Sequence, residues 1–161
     1  MTQLDGSDIV YVARVAVPKL ISLAVTIGTR FPAPSTSQGK VLLAALPPER
    51  FREILVQPSR SGITPRLELA MDELESSLRE VRARGWAVAD EELAAGVRSV
   101  AVPVRDGDGS VVAAMNVTVH AAETSLETLV EEHLPRLLQT ASAVSSDWAA
   151  WRSIPLTVTG G

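Results

Sequence analysis

The chain has 161 residues, 46% of them hydrophobic and 21% charged, with a formal net charge of −4. That is enough chain to bury a core in one domain, and the acidic balance excludes a large basic footprint for nucleic acid or anionic lipid. The absence of cysteine excludes disulfides and thiolate chemistry; with no signal-peptide pattern and no apolar run of membrane-spanning length, the expectation is a soluble, cytoplasmic protein.

Residues 8–17, DIVYVARVAV, are rich in β-formers and follow Asp5-Gly6, a hairpin-turn signal. A second short β-rich run, LISLAVTI, spans 20–27 and stops at Gly28. The stretch FPAPSTSQGKVLLAAL (31–46) comes next. Pro32 and Pro34 forbid a helix through its first part, and Ser35, Thr36 and Ser37 are candidate N-caps for a helix reaching Leu46. Pro47-Pro48 ends that helix, and Pro48 suits the first turn of another over about 48–56. Thr64-Pro65 predicts the start of a long helix, on which Leu67, Met71, Leu74, Leu78 and Val81 share a face, ending at Gly85.

Trp86-Ala87-Val88 reads as a strand, and 96–104 and 110–120 read as a hairpin closed by RDGDG. Thr124-Ser125-Leu126-Glu127 opens a closing helix whose apolar face runs from Leu126 through Leu129, Leu134 and Leu137 to Val144, with a kink predicted at Pro135. Residues 151–161 are expected to form a C-terminal tail. The order of elements predicts an α+β domain, an antiparallel sheet of about six strands with helices packed on it.

Most catalytic and cofactor chemistries fail on the residues. Gly39-Lys40 resembles a phosphate loop, but Pro34 stands at the first glycine position and Val41 where a hydroxyl must bind Mg²⁺. The two histidines, His120 and His133, have no metal-ligand spacing, so neither a metal nor another cofactor is expected. His133 reads as helix surface, while His120 can line a cavity. Asp90, Glu91 and Glu92 read as a solvated acidic turn. No Gly-x-Ser-x-Gly elbow is present, so no residue is assigned as catalytic.

One strand is unusual. Alternation along 110–120 places Val112, Ala114, Asn116, Thr118 and His120 on one face and Val111, Ala113, Met115, Val117 and Val119 on the other. On the partner strand Val97, Ser99, Ala101 and Pro103 share a face. The apolar side is core. The side with Ser99, Asn116 and Thr118 is either solvent-facing or the wall of a small-molecule pocket.

The segments LDGSDIVYVARV, GTRFPAPSTSQGKVLLAAL and ELESSLREVRARGWAVADEELAAGVRSVAVPVRDGDGSVVAAMNVT resemble, in order and spacing over about residues 2–148, the effector-binding domain of IclR-type bacterial transcriptional regulators. The pieces IGTRFPAPSTSQGKVLLA, GVRSVAVPV and AAMNVT look most like the protocatechuate, 4-hydroxybenzoate and β-ketoadipate regulators. The resemblance implies a GAF-like fold over 1–150, a small organic acid as effector, and a homodimer or homotetramer.

It also implies pocket positions. These are Leu20 and Leu23 as apolar wall, Phe31 before the helix, Ser37 and Gln38 at the helix start, and Val97, Ser99, Asn116 and Thr118 on the late hairpin. Arg30 and Arg98 are the candidate anion contacts, and Lys40 is expected at the helix surface or an interface. Ala89 stands where many members carry an acid, which argues against a hydroxy-acid contact there. The family's N-terminal winged helix-turn-helix is missing from this sequence, so DNA contact is expected only through such a domain and none with a membrane. Two rivals remain: a small enzyme acting on an organic acid with Asp90 or His120 as base, and an oligomerisation module whose pocket is filled by its own side chains.

Overall fold

The computed structural model describes residues 1–15 and 25–153. Six strands form one sheet: β1 (Thr2–Asp5), β2 (Asp8–Tyr11), β3 (Arg30–Pro32), β4 (Ala87–Asp90), β5 (Val97–Arg105) and β6 (Val111–His120). Their spatial order is β3-β2-β1-β6-β5-β4 and every pairing is antiparallel. The helices are α1 (Ser37–Ala44), α2 (Pro48–Leu55), α3 (Met71–Arg84) and a closing rod. That rod consists of α4 (Leu126–Thr128), a π turn (Leu129–His133) and α5 (Leu134–Arg152). This is the expected GAF-like α+β architecture, with six strands. The β-rich run 20–27 lies mostly outside the described residues.

Short-range chemistry explains most boundaries. The turn after Asp5 joins β1 and β2, with Asp5 opposite Asp8. Pro34 does not exclude all helical structure: Ala33–Ser35 form a single 3-10 turn with proline in its first positions, where the missing N–H costs nothing. Thr36 then caps α1, its hydroxyl accepting from Gly39 N at 3.1 Å. A Cβ on Gly39 would lie 1.9 Å from the Ala33 carbonyl oxygen, so only glycine lets this helix start so close to the 3-10 turn.

One boundary differs from expectation. The long helix begins at Met71, not near Thr64-Pro65. Instead, Arg66 N and Leu67 N donate to Leu93 O and Glu92 O, so tertiary pairing captures the segment that local signals favour as helix. Glu73 receives the Ala70 N–H at 3.0 Å, stabilising the observed start. Gly85, with φ +84°, ends α3 where the sequence predicts. In the closing rod Ser125 accepts from Thr128 N, and Pro135 falls in the first turn of α5, immediately after the π turn. The predicted disturbance therefore precedes the proline, whose missing N–H and bulky ring favour a break in the regular ladder there. The rod also runs further than expected, with Trp151 and Arg152 in its last turn.

Both sheet faces are covered. Beneath α5, Val100, Val102, Val104 and Ala113 pack with Leu129, Leu134, Leu137 and Ala141. Beneath α1 and α3, Ala101, Ala114 and Ala87 pack with Val41, Leu42, Leu43, Leu74 and Leu78. Small alanines in the sheet let α1 sit close, which brings its polar first turn down onto β5 and β6.

Candidate functional site

The register of the hairpin sets the site. Ser99 faces Thr118, Ala101 faces Asn116, and Val97 faces His120. Strand β1 meets β6 only at Thr2 opposite Ala114, and among the described residues no strand pairs with β6 on that side beyond this point. The stretch past Ala114 borders a cavity of about 450 Å³, within the usual range for small-molecule sites.

Its wall comes from several elements. Strand β6 offers Asn116, Thr118 and His120, and also Val117 and Val119 from its other face. Strand β5 supplies Val97 and Ser99, and the β4 end supplies Ala89 and Leu93. Phe31, Ser35, Thr36 and Gln38 come from β3 and the start of α1; Tyr11 and Arg14 come from the β2 side. Tyr11 and Phe31 meet edge to face, centroids 6.0 Å apart at 88°, a rigid aromatic corner.

A hydrogen-bonded network runs beneath that wall. Ser99 and Ser37 share a 2.7 Å hydroxyl contact, and the Ser37 hydroxyl also donates to Gln38 Oε1 at 3.3 Å. Gln38 Nε2 donates to the Tyr11 phenol oxygen at 2.9 Å. Asn116 Nδ2 donates to Thr118 Oγ1 at 2.8 Å. Burial pushes the Tyr11 phenol up, against the opposing effect of the Gln38 hydrogen bond and the Arg14 charge. Tyr11 is therefore neutral across the physiological range and can both donate and accept. The arrangement suits a small ligand with an apolar body and polar substituents.

Of the expected site residues, Phe31, Gln38, Val97, Ser99, Asn116 and Thr118 meet in this cavity. Ser37 is fully buried one layer behind, holding Ser99 rather than lining the wall. Leu20 and Leu23 lie outside the described residues. The two candidate cations are corrected. Arg30 pairs with Asp5, and Arg98 grips Asp90 through two bonds of 2.7 and 3.2 Å while donating to Thr124 O; neither lines the cavity. Among the described residues the arginine on the wall is Arg14, which is not among the expected anion contacts.

Three further expectations fail. His133 is no plain surface residue; it lines the cavity with His120. Lys40 is buried inside the domain, its Nζ 2.6 Å from Glu92 Oε1 and 3.3 Å from Val88 O. The acidic run is accordingly structural: Asp90 holds Arg98, Glu91 takes the Gly96 N–H at 2.8 Å, and Glu92 neutralises Lys40. Asp90 is thereby unsuited as a cavity base. No group of three or more metal-ligating side chains occurs among the described residues.

Comparison with known proteins gives these features a context. The chain is 42% identical over 139 residues to the Pca regulon regulatory protein of Pseudomonas putida, covering 86% of this chain and 48% of that protein. The chain thus spans about half the length of the curated relatives it matches. A structure of a Rhodococcus sp. RHA1 protein described as a transcriptional regulator superposes with a TM-score of 0.84 at 45% identity, covering 92% of this chain and 61% of that one. The inducer-binding domain of the PobR transcription factor from Acinetobacter, a double mutant in complex with 3-hydroxybenzoic acid, superposes with a TM-score of 0.78 at 30% identity, covering 89% and 85%. The family described as bacterial transcriptional regulator IclR C-terminal matches residues 1–146. With that span, fold and set of relatives, this chain belongs to the IclR family of bacterial transcriptional regulators, as its C-terminal effector domain.

Proposed function

We propose that this domain senses a small organic acid, aromatic or dicarboxylic, and passes its occupancy to DNA binding in a larger, cytoplasmic regulator. The observation that carries this reading is the 450 Å³ cavity with Asn116, Thr118, Ser99, Gln38 and Tyr11 converging on an otherwise apolar wall. Such a lining orients a ligand without reacting with it. In this reading the carboxylate lies by the start of α1, where the helix terminus supplies positive potential, and Arg14 lines the same cavity from the β2 side. The side chains of the described residues leave this cavity open, which favours a ligand site over a bare oligomerisation module. The relatives compared are named as transcriptional regulators, which leaves the enzyme alternative without support.

Transmission follows from linkage. A ligand with different affinity for two arrangements of a dimer or tetramer shifts their populations, and with them the spacing of attached DNA-binding domains. A thermal-shift screen against protocatechuate, 4-hydroxybenzoate, β-ketoadipate, pyruvate and glyoxylate tests the ligand half of this reading, since a native-state ligand raises the melting temperature. Absence of a shift with every acid at millimolar concentration would sink it. Asn116→Leu should keep the unliganded melting temperature and lose the shift.

A further inference from the structure

The hydrogen-bond chain behind the cavity has a direction, and that direction sets what the wall can receive. Gln38 Nε2 donates to the Tyr11 phenol oxygen at 2.9 Å, which turns Gln38 Oε1 back to the Ser37 hydroxyl at 3.3 Å. A carboxamide oxygen cannot donate, so Ser37 gives its single hydroxyl proton to Gln38. The 2.7 Å contact between Ser37 and Ser99 must then use the proton of Ser99. Ser99 is 6% exposed and lines the cavity, whereas Ser37 is fully buried and does not reach it. With its proton held inward, Ser99 turns only lone pairs toward the cavity.

Thr118, opposite Ser99 in the strand register, has the reverse polarity. Its Oγ1 accepts from Asn116 Nδ2 at 2.8 Å, and its own hydroxyl proton remains to be given. Directly opposed residues on one face of a hairpin have Cβ atoms about 5 Å apart, so one ligand group can touch both hydroxyls. A ligand hydroxyl satisfies the pair: it donates to Ser99 and accepts from Thr118. A carboxylate does not, because its oxygens only accept and one of them meets the lone pairs of Ser99. An ether oxygen lacks the needed proton as well.

Resting on the reading of this cavity as an acid-binding site, we propose that Ser37, which touches no ligand, is a positioning residue for ligand choice. By holding the Ser99 proton inside the domain, it makes Ser99 and Thr118 a hydroxyl seat and turns a second carboxylate away. The ligand's own carboxylate is left to the side where Gln38, Tyr11 and Arg14 stand. The preferred class is a monocarboxylic acid that also carries a hydroxyl.

Calorimetric titration with 4-hydroxybenzoate, 4-methoxybenzoate and terephthalate tests this at about pH 7, where a phenol keeps its proton and carboxylates are ionised. 4-Methoxybenzoate has the charge of 4-hydroxybenzoate without the proton, which separates hydrogen-bond polarity from the charges on the wall. The hydroxy-acid should bind about tenfold tighter than either of the others, or better. Ser37→Ala frees the Ser99 proton, so terephthalate should gain and its gap to 4-hydroxybenzoate should close to about threefold or less. A merely structural serine would weaken all three acids alike and keep their ratios, and that result overturns the proposal. So does a wild type that prefers terephthalate or does not distinguish hydroxyl from methoxy. If Ser37→Ala does not fold, Ser99→Ala decides. There 4-hydroxybenzoate should fall to the level of 4-methoxybenzoate with terephthalate undiminished; a loss of terephthalate binding would mark Ser99 as a donor and overturn the proposal. Failure of these three acids beside a thermal shift from another acid of the screen removes this inference only. No response to any acid removes the acid-sensing reading, and this one with it.

Discussion

Beneath α5 the β5–β6 hairpin presents Val100, Val102, Val104 and Ala113 to a layer of leucines. Beneath α1 the same two strands present Ser99, Asn116 and Thr118 beside alanines, with a cavity at their end. The two faces share backbone, register and twist, so the difference lies only in alternate side chains. One face spends its whole surface on burial. The other gives up apolar area to hold a hydrogen-bonded network and an opening, and it is the face where a buried ion pair ties α1 to the end of β4.

That contrast can be broken most sharply at the ion pair. The Lys40 and Glu92 side chains are 5% and 12% exposed, and Glu92 Oε2 already lacks a partner. Lys40→Met should cost about 3–5 kcal/mol by denaturant unfolding, because it strands a buried carboxylate. Adding Glu92→Leu should recover most of the loss, and failure to recover would mean that α1 needs the lysine for more than charge. On the dry face, Leu129→Ala removes a fully buried side chain and should cost about 3 kcal/mol without altering ligand response. A change in response there would show that the two faces are not separable.

Smaller effects sharpen the comparison. Ser99→Ala leaves Ser37 with Gln38 as its remaining side-chain partner. It should cost about 1 kcal/mol in thermal unfolding and weaken ligand binding more than it weakens the fold. A cost as large as that of Leu129→Ala would make the network a core element, not a site.

The smallest effect lies at the rim. Hydrogen bonds from Arg30 and Arg60 hold the Asp5 carboxyl below its ordinary value of 3.8. Its contribution is present above that value and is lost as the pH falls through the lower folded one. The advantage of the wild type over Asp5→Asn should therefore be small near neutrality and narrow further below about pH 4. An advantage that grows on acidification would refute the assignment.

The sequence made the hairpin legible because strict alternation over ten residues leaves one register, and that register put Ser99, Asn116 and Thr118 together. Pro48, Thr36 and Gly85 marked helix ends for the same reason: each acts through its own backbone. What stayed hidden depends on distant partners. Nothing near Lys40 predicts Glu92, 52 residues away. Thr64-Pro65 is a sound helix start that loses to bonds with residues 92 and 93. His133, without a metal-ligand partner on its helix, reads as surface, and nothing in the sequence announces the π turn that carries it to the cavity. Arg14 lies beyond the end of β2, where no pattern points a side chain anywhere in particular.

The solitary edge of β6 past Ala114 has one more consequence. The cavity touches Asn116 and Thr118 on one side of the strand and Val117 and Val119 on the other. The valines are packed against the close-fitted cluster under α5, which resists deformation; the serine–glutamine side is held by hydrogen bonds that can be exchanged. Room for a bulkier occupant is thus unequal in direction. A ligand that widens toward α1 meets replaceable contacts, while one that widens toward α5 has to prise apart a solid, so steric tolerance here is set by which side of a single strand the extra atoms fall on.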